Sequence, residues 1–334
     1  MTGDIFMTGG AGFLGRAILA RYAKEWPDCR FTVYSRDEAK HARTRALFPQ
    51  HRYIMGDVRD AERLELAMAG HRIVIHAAAM KYVPQAEMNV SEAVTINVNG
   101  SRNICSAAIR HGVEQVIGVS TDKACNPNNV YGTTKFLMER LFQEASTMNE
   151  GTRFNLVRYG NVIASTGSVI PLFRRQAREG RVTLTNPDMT RFWITVDEAV
   201  DLILLALQEK QGGTVLIPRL ASLSIREVAL AAAAIELGER GANGVTYDVV
   251  GQRFGEKVHE ELLSPIEMVY SELTHTILKH KLPQGEVNQW VVMRMWPVTQ
   301  GIRKDHIEFP YTSDKADKQM TVGEFKHLIQ ASPE

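Results

Sequence analysis

The sequence predicts an α/β fold: a doubly wound parallel sheet with a smaller C-terminal lobe. Three observations predict it. A short apolar run, DIFMT at 4–8, leads straight into a glycine cluster at 9–15. Further strand-like runs alternate with helix-like segments as far as residue 162. Beyond that point the alternation loosens. Strands alternating with helices argue for βαβ units and a parallel sheet, and right-handed crossovers wind such a sheet on both faces. Ligands of these sheets bind at the carboxyl ends of the strands.

Each element has its own signal. After the strand at 4–8, Phe13, Leu14, Ile18, Leu19 and Tyr22 recur at helical spacing. FTVYS at 31–35 is the second strand. Helices over 37–47 and 60–69 flank the strand RYIMG at 52–56. RIVIHAAA at 72–79 is followed by a helix over 91–111. QVIGVST at 115–121 is followed by a helix over 131–148, and FNLVRYGNV at 154–162 is the sixth strand. In the second half, helical patterns appear at 168–180, 196–209, 224–238 and 321–331. Strands are expected at 182–185, 214–218, 247–251 and 289–296, and the rest of 264–320 has no clear period. Residues 1–165 therefore read as one domain. Residues 166–334 read mostly as a second, ligand-binding lobe, with some segments returning to the first.

Composition excludes several functions. Hydrophobic content of 44% and charged content of 23% are those of an ordinary globular protein. A net charge of +1 gives no electrostatic case for nucleic acid or a membrane surface. Cys29, Cys105 and Cys125 are scattered, with neither disulfide nor metal-ligand spacing, so no metal is expected and a reducing cytoplasm is the simplest setting. The opening MTGDIFMTGG lacks the basic and apolar regions of a signal peptide, and no apolar run is long enough for a membrane span.

Gly9, Gly12 and Gly15 form a GxxGxxG loop between strand and helix. The first permits a tight turn, the second lets backbone amides approach a pyrophosphate, and the third lets helix pack on strand. The anion sits at the positive end of the helix. This is the signature of a Rossmann-type dinucleotide site. At the end of the second strand, Ser35 and Arg36 suit a ribose 2′-phosphate better than a free 2′-hydroxyl, which favours NADP over NAD. Asp37 is a helix cap in the alternative reading. Asp57 either meets the adenine or caps a turn. Phe13, Leu14, Val58, Ala77, Ala78, Ala79 and Lys81 complete the expected cofactor crevice, and Lys81 is also a candidate for the substrate.

The densest chemistry lies in Ser120-Thr121-Asp122-Lys123 and Tyr131-Gly132-Thr133-Thr134-Lys135. A Tyr and a Lys four apart share a helix face, where the ammonium can lower the phenol's pKa and make it a base. Asp122 and Lys123 are a second acid–base pair that simple alcohol oxidation does not need. His76 reads as a packed histidine at a strand end.

TGGAGFLG, YSRDE, GDVRD, HAAAMKYVP, STDKA, YGTTK, RYGNV, MTRFWIT and GEKVHE occur in an order that resembles the extended short-chain dehydrogenase/reductase superfamily. More narrowly, residues 4–263 resemble the soluble, inverting UDP-N-acetylglucosamine 4,6-dehydratases. Tyr131 and the lack of a membrane segment are unlike the membrane-anchored retaining branch. Two stretches depart from the family pattern. Arg253-Phe254-Gly255-Glu256 stands where Arg-Pro-Gly-Glu is common, and Met80 and Tyr82 stand where Leu and His are usual.

The resemblance implies a sequence of roles. Tyr131 takes the proton of the sugar C4 hydroxyl, with Lys135 supplying charge and holding the nicotinamide ribose. Thr121 or Ser120 binds the C4 oxygen. Lys123 removes the C5 proton, provided Lys135 and burial keep it partly neutral. Asp122 protonates the departing C6 hydroxyl, provided desolvation raises its pKa. Asn97 braces the active-site strands. Asn161, Arg191, Arg253 and Glu256 hold the UDP-sugar, the two arginines as phosphate clamps. The resemblance also implies a homo-oligomer. Two rival readings stand: a nucleotide-sugar 4- or 5-epimerase of the same fold, and a non-catalytic NADP-binding sensor.

Overall fold

The run DIFMT forms an interior strand of a nine-stranded sheet. A computed structural model describes residues 4–165, 167–277, 289–297, 300–303, 305–316 and 318–332. The sheet's strands are β1 (Asp4–Thr8), β2 (Arg30–Ser35), β3 (Arg52–Met55), β4 (Ile73–His76), β5 (Gln115–Val119), β6 (Arg153–Val157), β7 (Val215–Pro218), β8 (Ser271–Ile277) and β9 (Gln289–Met295). Their order is β8-β9-β7-β6-β5-β4-β1-β2-β3. The first seven pair in parallel. β9 runs antiparallel to β7, and β8 antiparallel to β9. Parallel strands are covered by helices on both faces, so they read as unbroken apolar runs. Phe6, Met7, Val74, Ile75, Val116, Ile117, Leu156 and Val157 are accordingly sealed from solvent. The strand order reverses between β1 and β4, which opens a crevice at their carboxyl ends.

Three expected elements are cut differently. The strand expected over 72–79 ends at His76, and Ala77–Ala79 form the loop after it. The run 154–162 is two strands. β6 stops at Val157, and Asn161–Val162 joins Thr190–Ile194 and Ala221–Ser224 in a separate three-stranded sheet. Gly160 makes the turn between them, where a Cβ would lie 2.6 Å from Phe192 Cβ. The helix over 91–111 is broken. Helices Val83–Met88 and Val90–Val94 lead into a π-helical turn, Thr95–Asn99, before Gly100–Arg110 resumes the α-helix. The wider turn brings Asn97 into the interior, 1% exposed.

The second half builds its own core of Ile163, Phe173, Leu184, Trp193, Val228 and Phe325 around an alanine-rich helix, Ile225–Ala242. Several of its helices start on capping boxes, among them Thr195 with Glu198, Ser224 with Glu227 and Thr321 with Glu324. A buried cross-tie joins this half to the sheet. Arg158, just past β6, is 0% exposed and bonds Glu139 of the Val130–Met148 helix and Glu267 of the Pro265–Met268 helix. Among the described residues no helix is long and apolar enough to cross a membrane.

Candidate active site

The glycine loop opens the crevice. Gly9 has φ +70°, and a Cβ there would lie 2.8 Å from the Ala77 carbonyl carbon and the Ala78 nitrogen. Only glycine lets the β1 and β4 loops touch. A Cβ on Gly15 would fall 2.2 Å from the Gly10 oxygen, so the helix Phe13–Glu25 packs directly on the turn. Gly12 caps that helix without a side chain, and its first turn carries no acid. The amides of Phe13, Leu14 and Gly15 are first-turn donors without intrahelical partners, so they present a positive end to an anion.

At the end of β2, the buried Ser35 Oγ has no hydrogen-bond partner. Arg36 is exposed and lies 3.7 Å from Asp57. Asp37 caps the helix Glu38–Leu47 by accepting from Lys40 N at 2.9 Å, so its carboxylate is committed to the protein. Lys40, absent from the sequence-based candidates, stands close enough to Lys81 that its charge, after desolvation, pushes the Lys81 ammonium below its ordinary value. Arg36, Lys40 and Lys81 thus ring this end of the crevice with cations. Asp57 is held by Arg59 through Nε at 3.0 Å and Nη2 at 2.7 Å, which makes it a turn anchor. Val58 is buried against Gly100, where a Cβ would meet its side chain at 2.7 Å.

Asn97 pins the β4 loop. It accepts from Met80 N at 2.8 Å and donates to Met80 O at 3.0 Å and to Thr134 Oγ1 at 2.9 Å. The brace links the cofactor side to the Tyr131 helix. His76 is packed between Thr8 Oγ1 at 2.7 Å and Ser101 Oγ at 3.2 Å. Burial, then the charge of Lys135, pushes its pKa down to about 3. The unfolded ring protonates near about 6.5, so between these values the unfolded chain binds the extra proton and stability falls as pH falls. Going from pH about 7 to about 5 should cost about 2 kcal/mol through this ring. Urea midpoints at the two pH values measure the loss, and His76→Asn should flatten the slope.

Thr121, Asp122 and Lys123 follow β5 in a single 3-10 turn, Asp122–Ala124. Gly132 seats this turn on the Tyr131 helix, since a Cβ there would lie 2.1 Å from the Lys123 carbonyl oxygen. Asp122 is 0% exposed. Its Oδ1 accepts from Thr121 Oγ1 at 2.8 Å, Lys123 N at 2.9 Å and Lys123 Nζ at 3.0 Å. Its Oδ2 is buried and unpartnered. Ser120 is drawn away from the cleft, donating to Glu139 Oε1 at 2.5 Å. The Thr121 side chain lies close enough to the Tyr131 phenol to help lower its pKa against burial.

Two electrostatic expectations are corrected. Burial pushes the Tyr131 phenol up to about 12, and the cation that opposes this is Lys123, not Lys135. Lys135 instead donates to Met138 Sδ at 2.9 Å, and burial, opposed by Glu139, lowers its ammonium to about 7. Lys123 is not held partly neutral. Burial works against its charge, but Asp122 and then Glu260 outweigh burial and raise its pKa above the ordinary value.

Asn161 Oδ1 accepts from Lys123 Nζ at 3.3 Å, which leaves its amide hydrogens for a ligand. Arg191 differs from the free phosphate clamp expected. It is 8% exposed, and its Nη1 donates to Thr190 O at 2.8 Å and Val258 O at 3.1 Å while its Nε lies 3.7 Å from Glu260. With Nη2 donating to Met189 Sδ at 3.4 Å, four partners occupy the fork. Arg253 is exposed, and Glu256 accepts from Arg253 N at 3.1 Å within the turn. Asn129, which caps the Tyr131 helix, donates to Gly255 O at 2.9 Å and so carries this turn to the cleft. Glu260, unassigned in the sequence, lies 3.6 Å from Lys123 Nζ. Its only sequence signal is its place at the end of GEKVHE.

The family model described as polysaccharide biosynthesis protein matches residues 5–281. The inverting UDP-N-acetylglucosamine 4,6-dehydratase of Campylobacter jejuni is 40% identical over 267 residues, 78% of this chain and 77% of that protein. A UDP-glucose 4-epimerase of Rickettsia rickettsii is 38% identical over 333 residues, 97% of this chain and 94% of the relative. Among solved structures, Pen from Bacillus thuringiensis superposes with a TM-score of 0.85 at 29% identity, covering 98% of this chain and 97% of the other.

Proposed function

This chain belongs to the polysaccharide biosynthesis protein family, and from that premise we propose that it dehydrates a UDP-N-acetylhexosamine with the help of NADP. UDP-N-acetylglucosamine is the first substrate to test, and the product is the 4-keto-6-deoxy sugar with C5 inverted, destined for a surface glycan. The observation that carries the proposal is the Asp122–Lys123 pair, hydrogen-bonded at 3.0 Å beside Tyr131. An epimerase has no use for an acid at C6.

The crevice fits NADP on its own features. A Cβ on Gly9 would fill the space against the Ala77 loop, Ser35 Oγ lacks a partner, and Arg36, Lys40 and Lys81 supply charge for a 2′-phosphate. Bound NADP would supply the hydride acceptor for C4 and the hydride donor for C6.

Tyr131 takes the C4 hydroxyl proton. Lys123, and after it Thr121, favours the phenolate. The new ketone acidifies C5–H. An ammonium next to a carboxylate and an amine next to a carboxylic acid hold the same number of protons. One transfer along the 3.0 Å bond therefore readies both partners, so the raised pKa of Lys123 does not bar it from acting as a base. Lys123 then takes the C5 proton while Asp122 gives its own to the C6 hydroxyl, which leaves as water. Once the planar intermediate has turned its other face to Lys123, the lysine returns a proton to C5 and inverts that centre. Arg253 and Glu256 hold the nucleotide, and Asn161 donates to the sugar. We place the enzyme in the cytoplasm as a homo-oligomer.

A second reading, 4-epimerisation, is favoured by the relative that matches 97% of this chain. Incubation with UDP-N-acetylglucosamine separates the two. The expected product is lighter by one water in the mass spectrum, and an isobaric product would replace dehydration with epimerisation.

A further inference from the structure

The Lys123 ammonium has a second carboxylate besides that of Asp122. Glu260 is 3% exposed, and its Oε1 lies 3.6 Å from Lys123 Nζ and 3.7 Å from Arg191 Nε. Its backbone is fixed on both sides by Ser313, which accepts from Glu260 N at 2.9 Å and donates its own N–H to Glu260 O at 2.8 Å. Ser313 Oγ also meets Thr190 Oγ1 at 2.6 Å, so the strand before Arg191 is held in the same knot. Glu260 Oε2 is buried with no partner, as is Asp122 Oδ2. Both carboxyl groups around one lysine therefore keep an oxygen that no protein donor satisfies. A buried charged group left in this state carries a desolvation penalty unless something else offsets it.

We propose that Glu260 is a positioning residue of the elimination centre, holding the Lys123 ammonium at 3.6 Å as a second carboxylate beside its bond to Asp122. The inference rests on the dehydratase reading. When Lys123 takes the C5 proton, the ammonium forms as Asp122 gives up its own proton to the leaving hydroxyl. Through that exchange Glu260 keeps a negative charge beside Nζ and so stabilises the ammonium as it forms in the transition state, a gain that exceeds its cost in neutral amine at rest. Arg191, tethered to two carbonyls, lies 3.7 Å from the same Glu260 oxygen and balances its charge. This gives the packed Arg191 a role that the phosphate-clamp expectation did not.

Glu260→Gln keeps the shape and removes the charge, and Glu260→Asp keeps the charge on a shorter arm. The full-length protein carrying Glu260→Gln should lose water from UDP-N-acetylglucosamine about tenfold or more slowly. Oxidation at C4, read as reduced-nicotinamide absorbance in a single turnover, should stay within about threefold of the unaltered protein. Glu260→Asp should recover part of the lost rate. Independently of turnover, Lys123 should react faster with an amine-directed acylating reagent at mildly alkaline pH in Glu260→Gln, because more of it is neutral. Peptide mass spectrometry resolves the site. Unchanged Lys123 labelling, unchanged water loss, or an equal fall in both partial reactions would overturn the proposal. A protein that releases no water at all before any substitution defeats the dehydratase reading instead, while the labelling comparison still judges the contact between Glu260 and Lys123.

Discussion

Arg158→Leu should destabilise the protein by about 3–5 kcal/mol, enough to leave many domains largely unfolded. The guanidinium is 0% exposed and saturated. Nε and Nη2 meet Glu139 at 3.0 and 2.6 Å, Nη1 and Nη2 meet Glu267 at 3.0 and 2.7 Å, and Nη1 also donates to Leu262 O at 3.0 Å. Leucine fills much of the volume but strands two buried carboxylates. The pH dependence then identifies the cause. In the unaltered protein burial pushes the Glu267 carboxyl up, but Arg158 outweighs it and holds it at about 2. A carboxyl lowered by folding stabilises above its unfolded pKa of about 4.3, and that stability is lost as pH falls towards 2. Without Arg158, burial of Glu267 is opposed mainly by the smaller contributions of Ser264 and Cys125. The variant's deficit should therefore shrink as pH is lowered from 7 towards 5 and the Glu267 carboxyl is protonated. Urea midpoints at both pH values test this. A deficit under about 1 kcal/mol, the range of exposed pairs, would mean that water reaches the carboxylates.

The same triad shows where the sequence could be read and where it could not. Arg158 lies in RYGNV, which reads as the end of a strand and gives no hint of a buried cation. Its partners are 19 and 109 residues away. The parallel strands were legible because burial on both faces writes continuous apolar runs. The glycine loop was legible because each glycine answers a local steric demand. Thr121, Asp122, Lys123, Tyr131 and Lys135 were legible as a group because one turn and one helix hold them all within sixteen residues. Which cation serves which acid was not legible. Spacing puts Lys135 under Tyr131, but the fold turns it to Met138 and brings Lys123 to the phenol. Glu260 and Arg191 reach Lys123 only through long-range packing, fixed in part by Ser313. β8 was missed because its polar-rich run SELTHTI becomes a strand only by pairing with β9.

Asp122→Asn should lower the rate of water loss by about 10²–10⁴-fold, the range for a lost general acid. The substitution is nearly isosteric. An amide oxygen can still accept from Thr121 Oγ1, Lys123 N and Lys123 Nζ, the three donors now within 3.0 Å. The fold should therefore persist, and thermal unfolding checks that it does. What disappears is the exchangeable proton and the negative charge. Without the carboxyl, Lys123 cannot pass its proton across the 3.0 Å bond to become neutral, and nothing at that position protonates the C6 hydroxyl. Tyr131 and Thr121 are untouched, so oxidation at C4 should continue and the enzyme should accumulate reduced cofactor with UDP-N-acetylglucosamine bound. In D₂O the NMR spectrum of the recovered UDP-sugar should show little deuterium at C5, because elimination and exchange there use the same pair. An epimerase would behave differently: it needs only hydride exchange at C4, so Asp122→Asn would leave its turnover nearly intact. Full dehydration by Asp122→Asn would remove the acid role from this residue and move it to another group in the cleft, with Glu260 the next carboxylate to replace.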